Sequence, residues 1–405
     1  MKRAVVVLSA SLLPSVVARA NVLGLFPAGS ACKSAAMESA VDCTEPQALL
    51  YNPALLSKTK LGFSGEVGIA RLAYSYEHPD FDPVRLNVMT PMFSEGWKGS
   101  LFDNKGSWGF AVMPGSMADL DIKGLPRRVM GNAESLNIKA KRRTFHLPLG
   151  LNYNLENHKA SVGASLIYTY DERTLKGNPV TNPGAQLADM KARGHFFRPV
   201  IGTSWDLTAT QVGASYMFPL TKKYSGKTKI ASEPVEFDTA QVDYDPGVLM
   251  LGAKQVFGSY SLSENINYLF GTKGKTVARD GLNKKINRAD LKDVRHMGLR
   301  LGYNTETYGN FSLGVAYLDS YWGDGRYVKN SQGFTEQEIG NVFGTFNAVP
   351  VRNQSITWQY PWSSWDTHVA IYRSAGTTTV GPGGDNPGHY QIEFVSLTCG
   401  IRRSL

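Results

Sequence analysis

The sequence predicts an all-β fold: a transmembrane antiparallel β-barrel of about 14 strands, preceded by a small N-terminal hatch, or plug. Three observations predict it. Apolar residues alternate with polar ones in runs of about 9–12 residues, the length of a tilted membrane-spanning strand; strands of soluble sandwiches average about 5–6. The connections between runs alternate long and short, as the outer loops and inner turns of a bacterial barrel do. Ahead of the first run, residues 21–60 do not alternate at all.

The elements follow in chain order. Lys2 and Arg3 precede an apolar stretch from Ala4 to Val17, and Ala18-Arg19-Ala20 has the pattern of a cleavage site. Residues 1–20 therefore read as a cleaved secretory signal peptide, too short to span as a helix. Without Lys2, Arg3 and Arg19, 40 basic residues stand against 34 acidic ones, a charge of +6. That is mild for a chain of this length. The basic cluster Lys139 to Arg143 reads as a solvated loop, so no nucleic-acid partner is expected. An oxidising compartment suits a disulfide between Cys32 and Cys43, which would staple a short N-terminal loop and leave Cys399 single. No metal-ligand spacing is present, and no metal or other cofactor is expected.

Residues 21–60 form the expected hatch, with short helices over Ala35 to Ala40 and Pro46 to Leu50. Strands are expected near 61–71, 84–90, 107–114, 144–155, 159–170, 196–206, 210–218, 248–257, 259–270, 296–304, 310–319, 354–360, 366–373 and 389–401, so the barrel occupies 61–405. The clearest stripe is Phe145, Leu147, Leu149, Leu151 and Tyr153, facing Thr144, His146, Pro148, Gly150 and Asn152. The small polar face suits a wet or plugged lumen. Segments 115–143, 171–195, 219–247, 271–295, 320–353 and 374–388 read as long outer loops, and both termini as periplasmic. Trp358, Tyr360, Trp362 and Trp365 around one short turn, and Tyr321 and Trp322 at the start of a long loop, read as interfacial girdles. Two features fit poorly. The chain ends Arg402-Arg403-Ser404-Leu405 where such barrels usually end on an aromatic. Glu264 falls on an apolar face, which calls for a bulge, a register shift or a protein neighbour there.

Several motifs add a resemblance. Asn52-Pro53-Ala54-Leu55 stands just before the first strand. A hairpin runs from Phe63-Ser64-Gly65 through Asp80-Phe81-Asp82-Pro83. Trp108-Gly109-Phe110-Ala111-Val112 runs into Met113-Pro114-Gly115. With the signal peptide and the preface, these make about the first 115 residues resemble the long-chain fatty-acid outer-membrane transporter family, which includes toluene and other hydrocarbon uptake channels. The resemblance implies a monomeric 14-stranded barrel in the bacterial outer membrane, plugged by a hatch. A hydrophobic ligand, a fatty acid or hydrocarbon, would enter from the loops and leave sideways into outer-membrane lipid through a kink in the third strand. Met113, Pro114 and Gly115 stand where that kink is expected, because Pro removes a ladder hydrogen bond and Gly tolerates the bend.

A carboxylate ligand needs a buried cation. Alternation puts Arg198, Lys254 and Arg300 on lumen faces, the expected partners of such a head group; pairing with hatch or wall carboxylates is the other reading of each. No nucleophile elbow, zincin motif or P-loop is present, and no enzymatic activity is expected. His146 is expected to make a hydrogen-bonded plug contact. The competing class is a structural or adhesive outer-membrane barrel whose outer loops bind a partner.

Overall fold

A computed structural model describes Met37, residues 39–43 and residues 45–404, except 78–81, 103–104, 130–131, 156–158, 180–187, 230–236, 271, 279–288, 292, 320–349, 363 and 381–387. The expected signal peptide, Cys32, Tyr321 and Trp322 lie outside the described residues.

The strands are β1 (Gly62–Glu77), β2 (Val84–Leu101), β3 (Gly106–Val129), β4 (Asn132–Leu155), β5 (Ala160–Pro179), β6 (Ala188–Leu207), β7 (Thr210–Met217), β8 (Leu220–Lys229), β9 (Phe237–Asp245), β10 (Val248–Phe257), β11 (Tyr260–Leu269), β12 (Thr272–Ala278), β13 (Ala289–Leu291), β14 (Val294–Thr305), β15 (Gly309–Leu318), β16 (Val351–Trp362), β17 (Trp365–Val380) and β18 (Gly388–Ser404). Neighbours pair antiparallel, and β1 pairs with β18 along its whole length, closing the barrel. Four staves are broken in two (β7–β8, β9–β10, β11–β12 and β13–β14), so the strands make the expected 14 staves. Pro219 and Pro246 mark two of the breaks, since neither can donate to a ladder.

The spanning segments agree with the alternation, but their outer ends do not. Much of the expected loops at 115–143, 171–195 and 219–247 continues as paired strand, because β3–β6, β8 and β9 run on beyond the apolar belt. Above the belt both faces of a strand meet polar surroundings, so the apolar half of the pattern disappears while the ladder continues. The ends at which β2 meets β3, β4 meets β5, β6 meets β7, β10 meets β11, β14 meets β15 and β16 meets β17 through short connections gather on one side, here the lower end, with Gly62 and Ser404.

Outward-facing residues form the belt, with Leu147, Leu149, Leu151, Leu251, Ile266, Leu299, Leu313 and Ile371 all exposed. Aromatic pairs flank it below (Tyr260–Tyr303, Phe311–Trp358) and above (Tyr216–Phe218, Tyr268–Phe270, Tyr168–Phe197). Trp358 also donates its indole N–H to the Tyr308 carbonyl at 2.8 Å. Inward positions are small and polar: Ser161, Ser165, Ser204, Ser215, Ser263, Asn265, Ser312 and Thr357 are all buried.

Glu264 faces outward midway between Tyr260 and Tyr268. Its register is regular, opposite Ala253 on β10 and Leu299 on β14, so no bulge or register shift accommodates it. The basic end of the chain is part of β18. Arg403 stacks on the Trp365 ring at 5.4 Å, a cation–π contact at the interface where an aromatic was expected.

In the hatch, two short 3₁₀ turns, Pro46–Leu50 and Pro53–Lys58, each begin on a proline, where the missing N–H is not needed. Met37, Ser39 and Ala40 of the expected first helix are irregular instead.

Candidate functional site: a plugged lumen with a side seam

The hatch is held to the barrel wall by polar bonds. Asn52 is fully buried. Its Nδ2 donates to the Ala40 carbonyl (2.8 Å) and to the Thr203 carbonyl of β6 (3.0 Å). Its Oδ1 accepts from Ala54 N (3.2 Å) and so caps the second 3₁₀ turn. Pro53 and Ala54 lie against β5 and β6, where two wall residues have no side chain. A Cβ on Gly163 would stand 2.5 Å from Ala54 N, and one on Gly202 would collide with Asn52 Oδ1. Glycine is required at both by close approach. Ser39 donates to Asn265 Oδ1 of β11 at 2.9 Å, and Ser165 of β5 to the Leu49 carbonyl at 2.5 Å.

Two buried carboxyl groups of the hatch supply further contacts. Asp42, with no exposed side-chain surface, lies 2.9 Å from Arg300 and 3.4 Å from Lys254. Burial alone would raise its carboxyl, but the two cations more than reverse this and hold it below the usual range. Glu45 accepts from Ser64 and lies 3.8 Å from Arg402. There burial dominates over Arg402, and the carboxyl is raised. Arg402 and Lys60 meet on Asp366 at 2.5 and 2.8 Å.

Lys254 and Arg300 thus converge on the hatch, as one of the two sequence readings allowed. Arg198 stands apart from them. It donates to the Phe218 carbonyl (2.7 Å) and to the Pro246 carbonyl, at the breaks of two staves, and lies 3.9 Å from Asp245. His146 bonds to Thr169 of the wall at 2.9 Å. Cys43 is disulfide-bonded and Cys399 is free; Cys32 lies outside the described residues.

Periodicity did not single out the apolar lining above the hatch. Buried Ala111, Met113, Ile167, Val200, Val248, Met250, Leu269, Val294 and Leu318 pack in one cluster with Ala40, Ala48, Leu50, Tyr51 and Leu55 of the hatch, flanked by Met217 and Val351. Register shows how it runs round the wall: Val200 pairs with Met217, Met217 with Val248, Val248 with Leu269, Leu269 with Val294, and Leu318 with Val351. These are inward positions just where the small polar pattern gives way. Above them lies a charged cluster, in which buried Asp171 receives Arg142 (2.5 Å) and Arg173 (2.9 Å).

A seam opens beside this lining. β1 and β2 pair from Val84 through Lys98. Among the described residues, the β2–β3 ladder runs only from Leu101–Gly106 to Glu95–Val112. β2 above Glu95 and β3 above Val112 go on without pairing to each other. On the other side of β3, Pro114 pairs with Phe145 and Met117 with Arg143, so β3 carries one extra residue there. A bulge bends its strand and raises the local twist. Met113 and Gly115 are buried at the start of this bend.

No family model and no curated protein sequence matches the chain. Solved structures do. A Pseudomonas aeruginosa FadL homologue superposes with a TM-score of 0.67 over 92% of this chain and 97% of its own, at 11% identity. The toluene transporter TbuX of Ralstonia pickettii gives 0.61 over 93% and 98%, at 12% identity. This chain has their fold. The Pseudomonas putida toluene transporter TodX gives 0.58 over 88% and 93%, at 14% identity.

Proposed function

We propose that this protein is an outer-membrane channel that takes up hydrophobic small molecules, fatty acids or hydrocarbons, and releases them sideways between β2 and β3 at Met113-Pro114-Gly115. One observation carries the proposal: the ladder between β2 and β3 ends at Glu95–Val112, beside the packed apolar lining that includes Ala111 and Met113. A ligand held there by its apolar surface has an exit into the membrane without crossing the hatch. The fold shared with a FadL homologue and with toluene transporters supports the same reading. In it, residues 1–20 are the cleaved signal peptide, 21–60 the hatch stapled by a Cys32–Cys43 disulfide, and 61–405 a monomeric barrel. The chain needs no cofactor and catalyses no reaction; the ligand gradient drives flow.

We extend the proposal to a carboxylate ligand. Lys254 and Arg300 receive its head group by exchanging Asp42 for it, and Arg198 does so by exchanging two backbone carbonyls. Substituting all three with Gln should weaken a fatty acid more than a hydrocarbon of equal length.

The test closes the seam. Continuing the register past the last pair puts Phe93 opposite Pro114. In a Cys399→Ser background, cysteines at both positions are bridged with a short bismaleimide. Uptake of labelled fatty acid and of toluene should fall to background in the bridged protein, and persist in each single-cysteine protein treated alike. Undiminished uptake after complete bridging sinks the lateral route. A barrel with no uptake of either ligand before bridging sinks the channel reading and favours the adhesive one.

A further inference from the structure

The seam has a charged foot. The ladder between β2 and β3 ends at Glu95–Val112, and Glu95 is exposed on the membrane side of the wall. Alternation along β2 fixes that direction: Ser94, Gly96 and Lys98 are buried, whereas Phe93 is exposed and Trp97 half-buried. The register partners of Glu95 are Gly65 of β1 and Val112 of β3, which share its outward face with Val67 and Phe110. Glu95 therefore stands in the apolar belt, one step above Trp97 and one step, about 6.6 Å, below Phe93, where the gap begins.

None of these outward neighbours carries a charge, and neither does Pro114, next on the outward side of β3. The nearest cation along β2, Lys98, is turned into the lumen, where it donates to the Thr59 carbonyl at 2.6 Å. The one cation of β1, Arg71, stands well above Gly65 and donates to Asn87 Oδ1 at 2.9 Å. Among the described residues, Glu95 is thus a carboxylate in an apolar rim. A ligand that leaves between β2 and β3 has to pass over it.

Specificity comes from a group that repels the wrong ligand as well as from one that holds the right one. At an effective dielectric constant of about 20, two like charges about 12 Å apart repel enough for a tenfold change in rate. A ligand crossing between Phe93 and Pro114 comes closer to Glu95 than that, because both lie one step above it. We propose that Glu95 determines which ligands leave through the seam: uncharged hydrophobic molecules pass, and an ionised carboxylate is held back. The proposal rests on the lateral route and concerns exit alone, so a carboxylate can still bind inside the barrel.

The test follows initial uptake of three labelled ligands of equal chain length, decanol, decanoate and decyltrimethylammonium, by cells producing the full-length barrel, with cells lacking it as background. It is run at about pH 8, where the acid is ionised. Glu95→Gln should raise the decanoate-to-decanol ratio by about tenfold and lower that of the cation to decanol. Glu95→Asp should keep both wild-type ratios. Glu264→Gln, which removes a belt carboxylate on the far side of the barrel, should keep them too, and heat-modifiability on gels should show every variant folded. An unchanged decanoate-to-decanol ratio in folded Glu95→Gln overturns the proposal, as does an equal change in Glu264→Gln. Bridging cysteines at Phe93 and Pro114 as above separates this failure from that of the route. Uptake lost on bridging with an unchanged ratio removes the role of Glu95 alone, whereas uptake undiminished on bridging removes the lateral route and this role with it.

Discussion

Asp42→Asn is the most informative single change. It keeps the shape of the side chain and removes the charge that Arg300 and Lys254 share at 2.9 and 3.4 Å. Removing one partner of a buried ion pair costs about 3–5 kcal/mol when the charges left behind are sealed from water. Here they are not fully sealed: the Arg300 and Lys254 side chains retain 11% and 28% exposure. The asparagine oxygen can also still accept from Arg300. The loss should thus fall to roughly 2–3 kcal/mol, in the range of a hydrogen bond to a charged group. That loss acts on hatch docking and leaves the barrel ladders alone. At about 1.4 kcal/mol per tenfold, the hatch should open roughly 30- to 150-fold more often. Hydrogen exchange followed by mass spectrometry reads this directly. Amides bonded within the hatch, such as Asn52 N to Ala48 O and Leu55 N to Asn52 O, should exchange faster by that factor, while peptides from β14–β18 keep their wild-type rates. Wild-type hatch protection in the variant would refute the argument that Asp42 anchors the plug.

Two further outcomes follow from the same contacts. Gly202→Val puts a side chain where Asn52 Oδ1 now sits and should displace the hatch; planar-bilayer recordings should then show larger and more frequent openings than wild type, whereas Gly258→Ala at an open turn should not. Asp42 is held below the usual carboxylate range, so its share of docking is complete above the ordinary value of about 3.9 and is lost as pH falls through the lower docked value. Glu45, raised by burial, works in the opposite sense and weakens docking as pH rises through its docked value. Hatch protection measured against pH should accordingly survive to below pH 4 in wild type, and Arg300→Gln should move the acid loss upward.

Much of the barrel was legible because lipid enforces a two-residue period. Leu147, Leu149 and Leu151, or Leu262 and Ile266, have one solvent on one side and another on the other. The upper strands were not legible for the same reason: at Lys139, Lys141 and Arg143 the outward face is charged where the belt is apolar, and a paired strand there reads like a loop. Hatch contacts were illegible for a different reason. Ser39 meets Asn265 and Asp42 meets Arg300 across more than 200 residues, and nothing local marks either partner. Alternation correctly turned Arg198, Lys254 and Arg300 inward, but it carries no information on what waits there. The seam was half legible: Pro114 and Gly115 announce a bend, whereas the early end of the β2–β3 ladder depends on where two strands diverge in space.

The placement of the hatch's partners has a consequence for assembly. The hatch precedes β1, and its bonds spread round the wall, from Ser64 of β1 and Ser94 of β2 to Thr203, Lys254, Asn265 and Arg300 on staves from the middle and later part of the chain. A chain made from its N-terminus can therefore seat this segment only in part, through Glu45 to Ser64 and Gln47 to Ser94, until the later staves exist. The plug is complete only when most of the wall is.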